Sequence, residues 1–437
     1  MVVGIVDEDS AMPTLFYQEK IMKFSPQQNA ALKAVHEWYN KSDKQVFRFF
    51  GYAGTGKTTL AKHIAEGIGG NVLFAAYTGK AAHVLQTKGC GQASTIHSLI
   101  YISRDKSKQH LENLQKQLNE LLISLKDMTQ EFINDHPKVR ALQRDIETEA
   151  KNANQPMFIL NTESEVKNAD MIVIDECSMV DSVMGLDLLS FGTPILVLGD
   201  PAQLPPVGAA GFFTENVKPD IMLDEIHRQA KESPVIRMAT DVREGKTLQL
   251  GDWGNDCHVM PFGTKLDQKR VLSFDQLLVG KNKTRHAMNS RVRKFLGHEG
   301  EYPIISDRLV CLRNNSELGL LNGALFDVTG MTGVMDGKVH MTVRSADDPM
   351  KSDVEVAALE HHFLGRGKEL DTQYWLRSEG QEFDYGYALT VHKSQGSQWD
   401  SVAVFDESWG PRKERQRWLY TAITRAAEKV TVVDMHS

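Results

Sequence analysis

The sequence predicts an α/β protein with parallel sheets, and three observations carry that prediction. Short, almost continuous apolar runs recur at "QVFRFF" (45–50), "NVLFAAYT" (71–78), "MIVID" (171–175), "PILVLGD" (194–200) and "SVAVFD" (401–406). Runs of Val, Ile, Leu and Phe without alternation mark strands buried on both faces, as in parallel sheets covered by helices. Each run is followed by a loop and then a helical stretch, the order in which strands and covering helices alternate. Between the first run and the helix-favouring "TTLAKHIAEGI" lies a glycine-rich loop, "GYAGTGKT". Strand, glycine loop and helix in that order form a phosphate cradle.

The 437 residues suffice for two to four domains, and a hydrophobic content of 41% supports real cores. Residues 1–23 read as an N-terminal extension without the basic start and apolar core of a signal peptide, and no run of about 18 apolar residues occurs. A cytoplasmic protein with no membrane partner is expected. Cys90, Cys177, Cys257 and Cys311 form no CxxC or CxxH pair, so neither a zinc ribbon nor a disulfide framework is indicated. A net charge of −7 neither favours nor excludes nucleic acid, because binding follows local positive patches. Two such patches exist: "KNKTRHAMNSRVRK" (281–294), with Lys281, Lys283, Arg285, Arg291, Arg293 and Lys294, and "PRKERQR" (411–417). Each reads equally as a nucleic-acid contact or a solvated helix face.

In chain order, the loop comes first. Gly51, Gly54 and Gly56 let backbone N–H groups approach anionic oxygens with no Cβ in the way. Lys57 at this spacing reaches β and γ phosphates, the Thr58 hydroxyl suits magnesium, and Thr59 follows in the same helical turn. From 101 to 164 the chain becomes charged and long-helical. Leu111, Leu114, Leu118, Leu121 and Leu125 step by three and four, and Val139, Leu142 and Ile146 do so after "NDHPK". Two antiparallel helices sharing an apolar seam are expected there, with "SLIYIS" and "PMFILN" at their base as a short two-stranded stem. "MIVIDECSM" then places Asp175 and Glu176 at the end of a buried strand, the first suited to magnesium and the second to polarising an attacking water. "LVLGDPAQLPPV" repeats the pattern with Asp200 and Gln203, whose amide can donate to a γ phosphate, accept from the water and sense phosphate loss. From 305 to 379, apolar alternation around Asn-Gly and Gly-rich turns predicts a small antiparallel β insert.

Taken in order, "FSPQQNAAL", "GYAGTGKT", "AAYTGKAA", "ASTIHSLI", "DECSM", "GDPAQLPPV", "LDEIHRQ", "LTVHKSQGSQWD" and "YTAITRA" resemble the successive motifs of the superfamily 1 helicases, most closely the RecD and Dda-like branch (superfamily 1B). The resemblance runs from residue 24 to about 426 and implies two RecA-like P-loop domains with ATP between them and single-stranded DNA across their top. It places the first RecA-like domain at 24–100 and 165–218, a helical insert at 101–164, the second RecA-like domain at 219–304 and 380–437, and a small β domain at 305–379. Gln28 would recognise adenine. Arg228 and Arg425 would reach the γ phosphate from the second lobe, and Gly396 would lie near the phosphates. Thr78, Lys80, His97, Thr390 and His392 match positions facing the strand, where hydroxyls, N–H groups and cations grip phosphates without reading bases. Lys57, Thr58, Asp175, Glu176 and Gln203 keep the roles argued above.

The resemblance therefore implies an ATP- and Mg2+-dependent DNA helicase moving 5′ to 3′ on single-stranded DNA and opening duplex at a fork. It further implies a monomer working beside replication, repair or recombination proteins. The alternatives are a translocase that displaces proteins but unwinds weakly, an RNA helicase, and a non-motor ATP-gated binding module. Helices in the first insert are a departure, since relatives in this branch commonly carry a short β-hairpin there.

Overall fold

In the computed structural model the described residues are 24–41, 43–103, 108–125, 128, 136–152, 158–206, 211–215, 217–225, 232–315, 317–348, 351–372, 376–377 and 379–436. The chain begins α1 (Pro26–Lys41), β1 (Val46–Gly51), α2 (Lys57–Ile68), β2 (Val72–Ala76), α3 (Gly79–Thr87), β3 (Ser94–Thr95) and α4 (Ile96–Ile100). It continues through β4 (Tyr101–Ser103), α5 (Lys108–Ser124), α6 (Pro137–Asn152), β5 (Phe158–Leu160), β6 (Met171–Asp175), α7 (Ser182–Leu189), β7 (Ile195–Gly199) and β8 (Ile221–Leu223). The remainder runs α8 (Pro234–Arg243), β9 (Gly251–Gly254), β10 (Cys257–Met260), α9 (Gln268–Leu272), β11 (Gln276–Val279), α10 (Asn282–Phe295), β12 (Arg308–Cys311), β13 (Leu325–Met335), β14 (Lys338–Ser345) and β15 (Val354–Leu359). It ends with α11 (Glu369–Thr372), β16 (Phe383–Tyr385), β17 (Ala388–Thr390), β18 (Trp399–Asp406), α12 (Arg412–Ile423) and β19 (Ala426–Asp434).

β1 shows why its sequence lacks alternation. Phe47 and Phe49 pack under α1 and α2 with Trp38, Leu60 and Ile64, while Val46 and Phe50 pack on the opposite face with Ile172, Leu188 and Ile195. Both faces are covered, and each large side chain fully withdrawn from water contributes about 1.5–3 kcal/mol. The first sheet has the order β3-β2-β6-β7-β1-β8 with every pairing parallel. Its neighbouring strands β6, β7 and β1 therefore end side by side, bringing Asp175, Asp200 and the loop after Gly51 to one edge, where ligands of open parallel sheets bind. A second sheet, β17-β11-β18-β19-β10-β9, is parallel except for the β9–β10 pair. This is an α/β protein with two RecA-like parallel cores and an additional antiparallel sheet.

The antiparallel sheet has the order β15-β14-β13-β12-β16. It reaches beyond residue 379, because Phe383 and Tyr385 of β16 alternate into the same core as Phe326, Val328 and Met341. At the other insert, β4 and β5 pair antiparallel through Tyr101–Leu160, Ile102–Ile159 and Ser103–Phe158, and α5 packs on α6 above them. Leu114 and Val139 are buried in that seam, whereas Leu118, Leu121, Leu125, Leu142 and Ile146 are half-buried; the Leu111 side chain lies outside the described part.

The first basic patch is partly structural. Arg285 and Arg293 of α10 are buried, Arg285 pairing with Asp384 at 2.7 Å and Arg293 with Asp307 at 3.1 Å. They tie the helix to the antiparallel sheet rather than to a solvated face, since a buried guanidinium needs a partner. The four cysteines are buried and free, and among the described residues no helix is long and apolar enough to cross a membrane.

Candidate nucleotide cleft and strand-facing surface

The loop between β1 and α2 is shaped by its glycines. A Cβ on Gly51 would stand 2.7 Å from the Thr55 hydroxyl and 2.9 Å from the Leu223 Cβ, so only glycine fits. Gly54 (φ 79°) and Gly56 (φ 81°) adopt the left-handed conformation that turns the chain into α2. The first helical residue is Lys57, and its ammonium donates to the Gly51 and Tyr52 carbonyls at 2.7 and 3.1 Å. Uncapped N–H groups of α2 and that lysine make the loop an anion site. The Thr58 hydroxyl donates to Asp175 Oδ2 at 3.1 Å. One hydroxyl and one carboxylate suit a Mg2+ ion that keeps most of its waters, and no cluster of three or more His, Cys, Asp or Glu ligands occurs among the described residues.

A cavity of about 550 Å³ opens over this loop, lined by Phe24, Gln28, Gly54 to Leu60, Lys88 and Gln398. Gln28 is buried at its inner end; its Oε1 accepts from the Ser25 N–H at 3.0 Å and its Nε2 donates to the Thr55 carbonyl at 3.1 Å. Thr59 is in the wall. The positions of Lys88 and Gln398 there went unread in the sequence, because neither belongs to a phosphate-loop pattern.

Glu176 follows Asp175 in the left-handed region at φ 51°, unusual for a side-chain-bearing residue, and its N–H donates to Asp175 Oδ1 at 2.8 Å. Its side chain keeps some accessible surface, yet both lobes crowd around it. The resulting loss of hydration pushes its carboxyl above the ordinary range; Arg425 and Lys57 oppose that rise, while Asp175 and Asp200 reinforce it. Arg425 is buried and held by the carbonyls of Thr421 (3.1 Å) and Ser397 (3.2 Å) and by the Thr424 hydroxyl (3.3 Å). Gln203 is also buried, and its Oε1 has no hydrogen-bond partner among the described residues. Lys57, Thr58, Asp175, Glu176, Gln203 and Arg425 thus gather around the loop. Arg228 lies outside the described residues. Gly396, at φ 76°, is not among the described residues lining the cavity; its Cα faces the Thr78 hydroxyl and Ala81, where a Cβ would come within 2.9 Å of each. The left-handed turn at Gly396 directs this glycine onto α3 and leaves Gln398 to reach the cavity.

Of the residues expected to face a strand, Thr78 and Lys80 sit at the start of α3, His97 lies on α4, and Thr390 and His392 lie at and just after the end of β17. The Thr78 hydroxyl caps the helix by accepting from the Ala81 N–H at 3.2 Å. Lys80 is buried, paired with Asp347 at 2.9 Å and placed 4.8 Å from the Trp399 ring centre, so in this conformation its charge is already engaged. His97 packs between Tyr77 and Tyr101, at 5.9 and 5.6 Å between ring centres. Burial holds His97 and His392 below the usual imidazole range, so both are neutral near pH 7. The Thr390 hydroxyl accepts from the Lys393 N–H at 3.4 Å. Beside α3 a cavity of about 320 Å³ is lined by Ser94, Thr95, Ser98, Asn314 and Lys351 among others. Ser94, Thr95 and Ser98 in this wall went unread, although these serines and threonine of "ASTIHS" surround His97 in the sequence.

With this geometry described, comparison with known proteins is direct. Residues 23–259, more than half of the chain, match the family model described as an AAA domain, and residues 385–433 match the UvrD-like helicase C-terminal domain. The chain belongs to the AAA-domain family of superfamily 1B helicases. It is 25% identical over 397 residues to the ATP-dependent RecD2 DNA helicase of Deinococcus radiodurans, covering 87% of this chain and 45% of that protein. It is 28% identical over 232 residues to the ATP-dependent DNA helicase dda of Enterobacteria phage T4, covering 50% of this chain and 41% of that protein. The chain thus spans less than half the length of these two relatives. In fold it is similar to the crystal structure of the Pif1 helicase from Candida albicans, with a TM-score of 0.53, 19% identity and 94% of each chain covered.

Proposed function

We propose that this chain is an ATP- and Mg2+-dependent DNA helicase that moves 5′ to 3′ along single-stranded DNA and opens duplex ahead of it. The observation that carries this reading is Arg425, a buried guanidinium in the turn between α12 and β19 that acts electrostatically on Glu176 beside the phosphate loop. A cation placed there stabilises charge that develops as the γ phosphate leaves, which a module that only binds ATP does not need. Lys57 and the α2 N–H groups hold the phosphates, Gln28 holds the adenine, and Glu176 takes the proton of the attacking water. Gln203 Oε1, with no partner among the described residues, accepts from that water. Thr58 and Asp175 would hold Mg2+, which when bound neutralises charge on the β and γ oxygens. Thr78, Thr390, His97 and His392 contact the strand as neutral groups, with α3 N–H groups and, once its ion pair opens, Lys80 supplying the rest. The chain acts as a monomer in the cytoplasm, at forks served by replication, repair or recombination proteins.

The test is ATP-driven unwinding of duplexes bearing a single 5′ DNA tail, a single 3′ DNA tail or an RNA tail, with Lys57→Ala as the inactive control. Unwinding of the 5′-tailed DNA alone, lost together with DNA-stimulated ATP hydrolysis in Lys57→Ala, is the expected result. Opening only from a 3′ tail reverses the polarity, preference for RNA tails makes it an RNA helicase, and full turnover in Lys57→Ala removes the phosphate-loop assignment.

A further inference from the structure

We propose that Tyr420 is a positioning residue for ATP hydrolysis, a single buried hydroxyl that holds the phosphate loop and the turn carrying Gln203 in register with the helix ending at Arg425. This rests on the ATPase reading above and gives a role to the residue that opens the "YTAITRA" stretch carrying Arg425, a role that neither the loop motif nor the arginine predicts.

Tyr420 lies on α12 and is 2% exposed. Its hydroxyl donates to Asp200 Oδ2 at 2.6 Å and accepts from the Ala53 N–H at 3.0 Å. The direction of both bonds is forced, because an ionised carboxylate only accepts and a backbone N–H only donates. The short bond to the carboxylate is of the charge-assisted kind, stronger than a neutral pair. Asp200 in turn orders its own turn, with Oδ1 accepting from the Ala202 N–H at 3.0 Å and its carbonyl accepting from the Gln203 N–H at 3.1 Å.

The same side of the cleft grips these two segments at further points. The Thr421 hydroxyl accepts from the Leu204 N–H at 3.0 Å, and Gln395 Nε2 donates to the Leu204 carbonyl at 2.9 Å. Arg243 at the end of α8 lies 3.6 Å from the centre of the Tyr52 ring. Tyr52 and Ala53 of the phosphate loop, and Asp200 and Leu204 around Gln203, are thus all held from across the cleft. Of these contacts only Tyr420 joins both segments through one atom. Opening the cleft breaks both of its bonds at once and frees the loop, the Gln203 turn and Arg425 to separate. Tyr420 therefore makes the shape of the phosphate loop depend on closure.

Tyr420→Phe in the full chain keeps the ring and removes both bonds. DNA-stimulated kcat is expected to fall roughly tenfold or more while KM for ATP stays within about threefold, since alignment rather than ground-state binding is lost. The change in single-stranded DNA affinity caused by a non-hydrolysable ATP analogue should shrink to less than about twofold. Asp200→Asn should mimic these effects, and combining the two should add less than about twofold, because they share one bond. A purely structural tyrosine would lower the melting temperature and leave the kcat-to-KM split and the analogue response intact, and that result overturns the proposal. Losses that multiply in the double variant overturn it too. If Tyr420→Phe fails to fold, Asp200→Asn alone decides by the same readouts. Wild-type protein active while both variants match it removes only the role of Tyr420, whereas wild-type protein without DNA-stimulated hydrolysis removes the ATPase reading and this proposal with it.

Discussion

Glu176 is held in a strained backbone conformation, and loss of hydration raises its carboxyl above the ordinary range. Non-glycine residues in that region persist where the surrounding structure imposes them, often at functional sites. Glu176→Gln is expected to keep binding of ATP and single-stranded DNA together while slowing turnover by about a hundredfold, the usual scale for a lost general base. The pH dependence follows from the raised carboxyl. Only the ionised form accepts a proton, so as pH falls turnover should begin to drop above the ordinary value of 4.5, and the limb should vanish in Glu176→Gln. A pH–rate profile of single-turnover hydrolysis checks both. Normal turnover in Glu176→Gln, or an acid limb at the ordinary carboxylate position, assigns the base to another group. Lys57, Thr58, Asp175 and Glu176 were readable as a site because each belongs to a local pattern whose backbone geometry follows from its neighbours. The pairing of Tyr420, although it opens "YTAITRA", was not readable, since its partner Asp200 is 220 positions away and nothing local signals it.

Among elements, the helical insert departs most from the resemblance. α5 and α6 rise from the β4–β5 stem, and their shared seam buries Leu114 and Val139 without drawing on the cleft. Among the described residues, none lining the nucleotide cavity comes from 101–164. Replacing residues 107–153 with a short Gly-Ser link spares the stem, and single-stranded-DNA-stimulated ATP hydrolysis should remain within about threefold of normal, because distant, separately packed elements act independently. Unwinding of a forked duplex is the sensitive measurement. Its loss places the hairpin at the fork, its persistence makes the hairpin an arm outside strand separation, and loss of hydrolysis in a folded protein makes the insert part of the motor. The leucine steps made the helices legible, since periodicity of 3.6 is a local property. The depth of the seam was not, because the partner surface decides how far each leucine is covered. β16 was missed at the edge of the antiparallel sheet for a similar reason: three residues carry too little pattern until β12 pairs with them.

At the scale of the whole molecule, α3 of the first parallel core meets the segment after β14 of the antiparallel sheet through Lys80 and Asp347, and the pair is partly buried beside Trp399. Asp347 Oδ2 also accepts from the Leu325 N–H at 3.0 Å, so Asp347→Asn removes the charge while keeping that acceptor. If Lys80 serves DNA phosphates, releasing it should raise nucleotide-free affinity for single-stranded DNA by about two- to tenfold, or roughly 0.4–1.4 kcal/mol. The salt dependence of binding should steepen with the added phosphate contact. Fluorescence anisotropy across a salt series measures both, and unchanged affinity and slope would confine Lys80 to that contact.

By itself the sequence determined that the chain is α/β, where its phosphate loop and two acidic strand ends fall, and that its motifs follow the order of superfamily 1 helicases. Strand burial, helical period and glycine turns depend on residues within a few positions of one another, so they can be read along the chain. Only the tertiary structure decided the partners of long polar side chains. It turned Arg285 and Arg293 from surface cations into buried ion pairs, engaged Lys80 with Asp347, and set Gly396 against α3. It also brought Tyr420, Ala53 and Asp200 onto one hydroxyl. A buried charge or hydroxyl takes whichever complementary group the packing of distant segments presents, because leaving it unpaired away from water costs more than any local preference supplies.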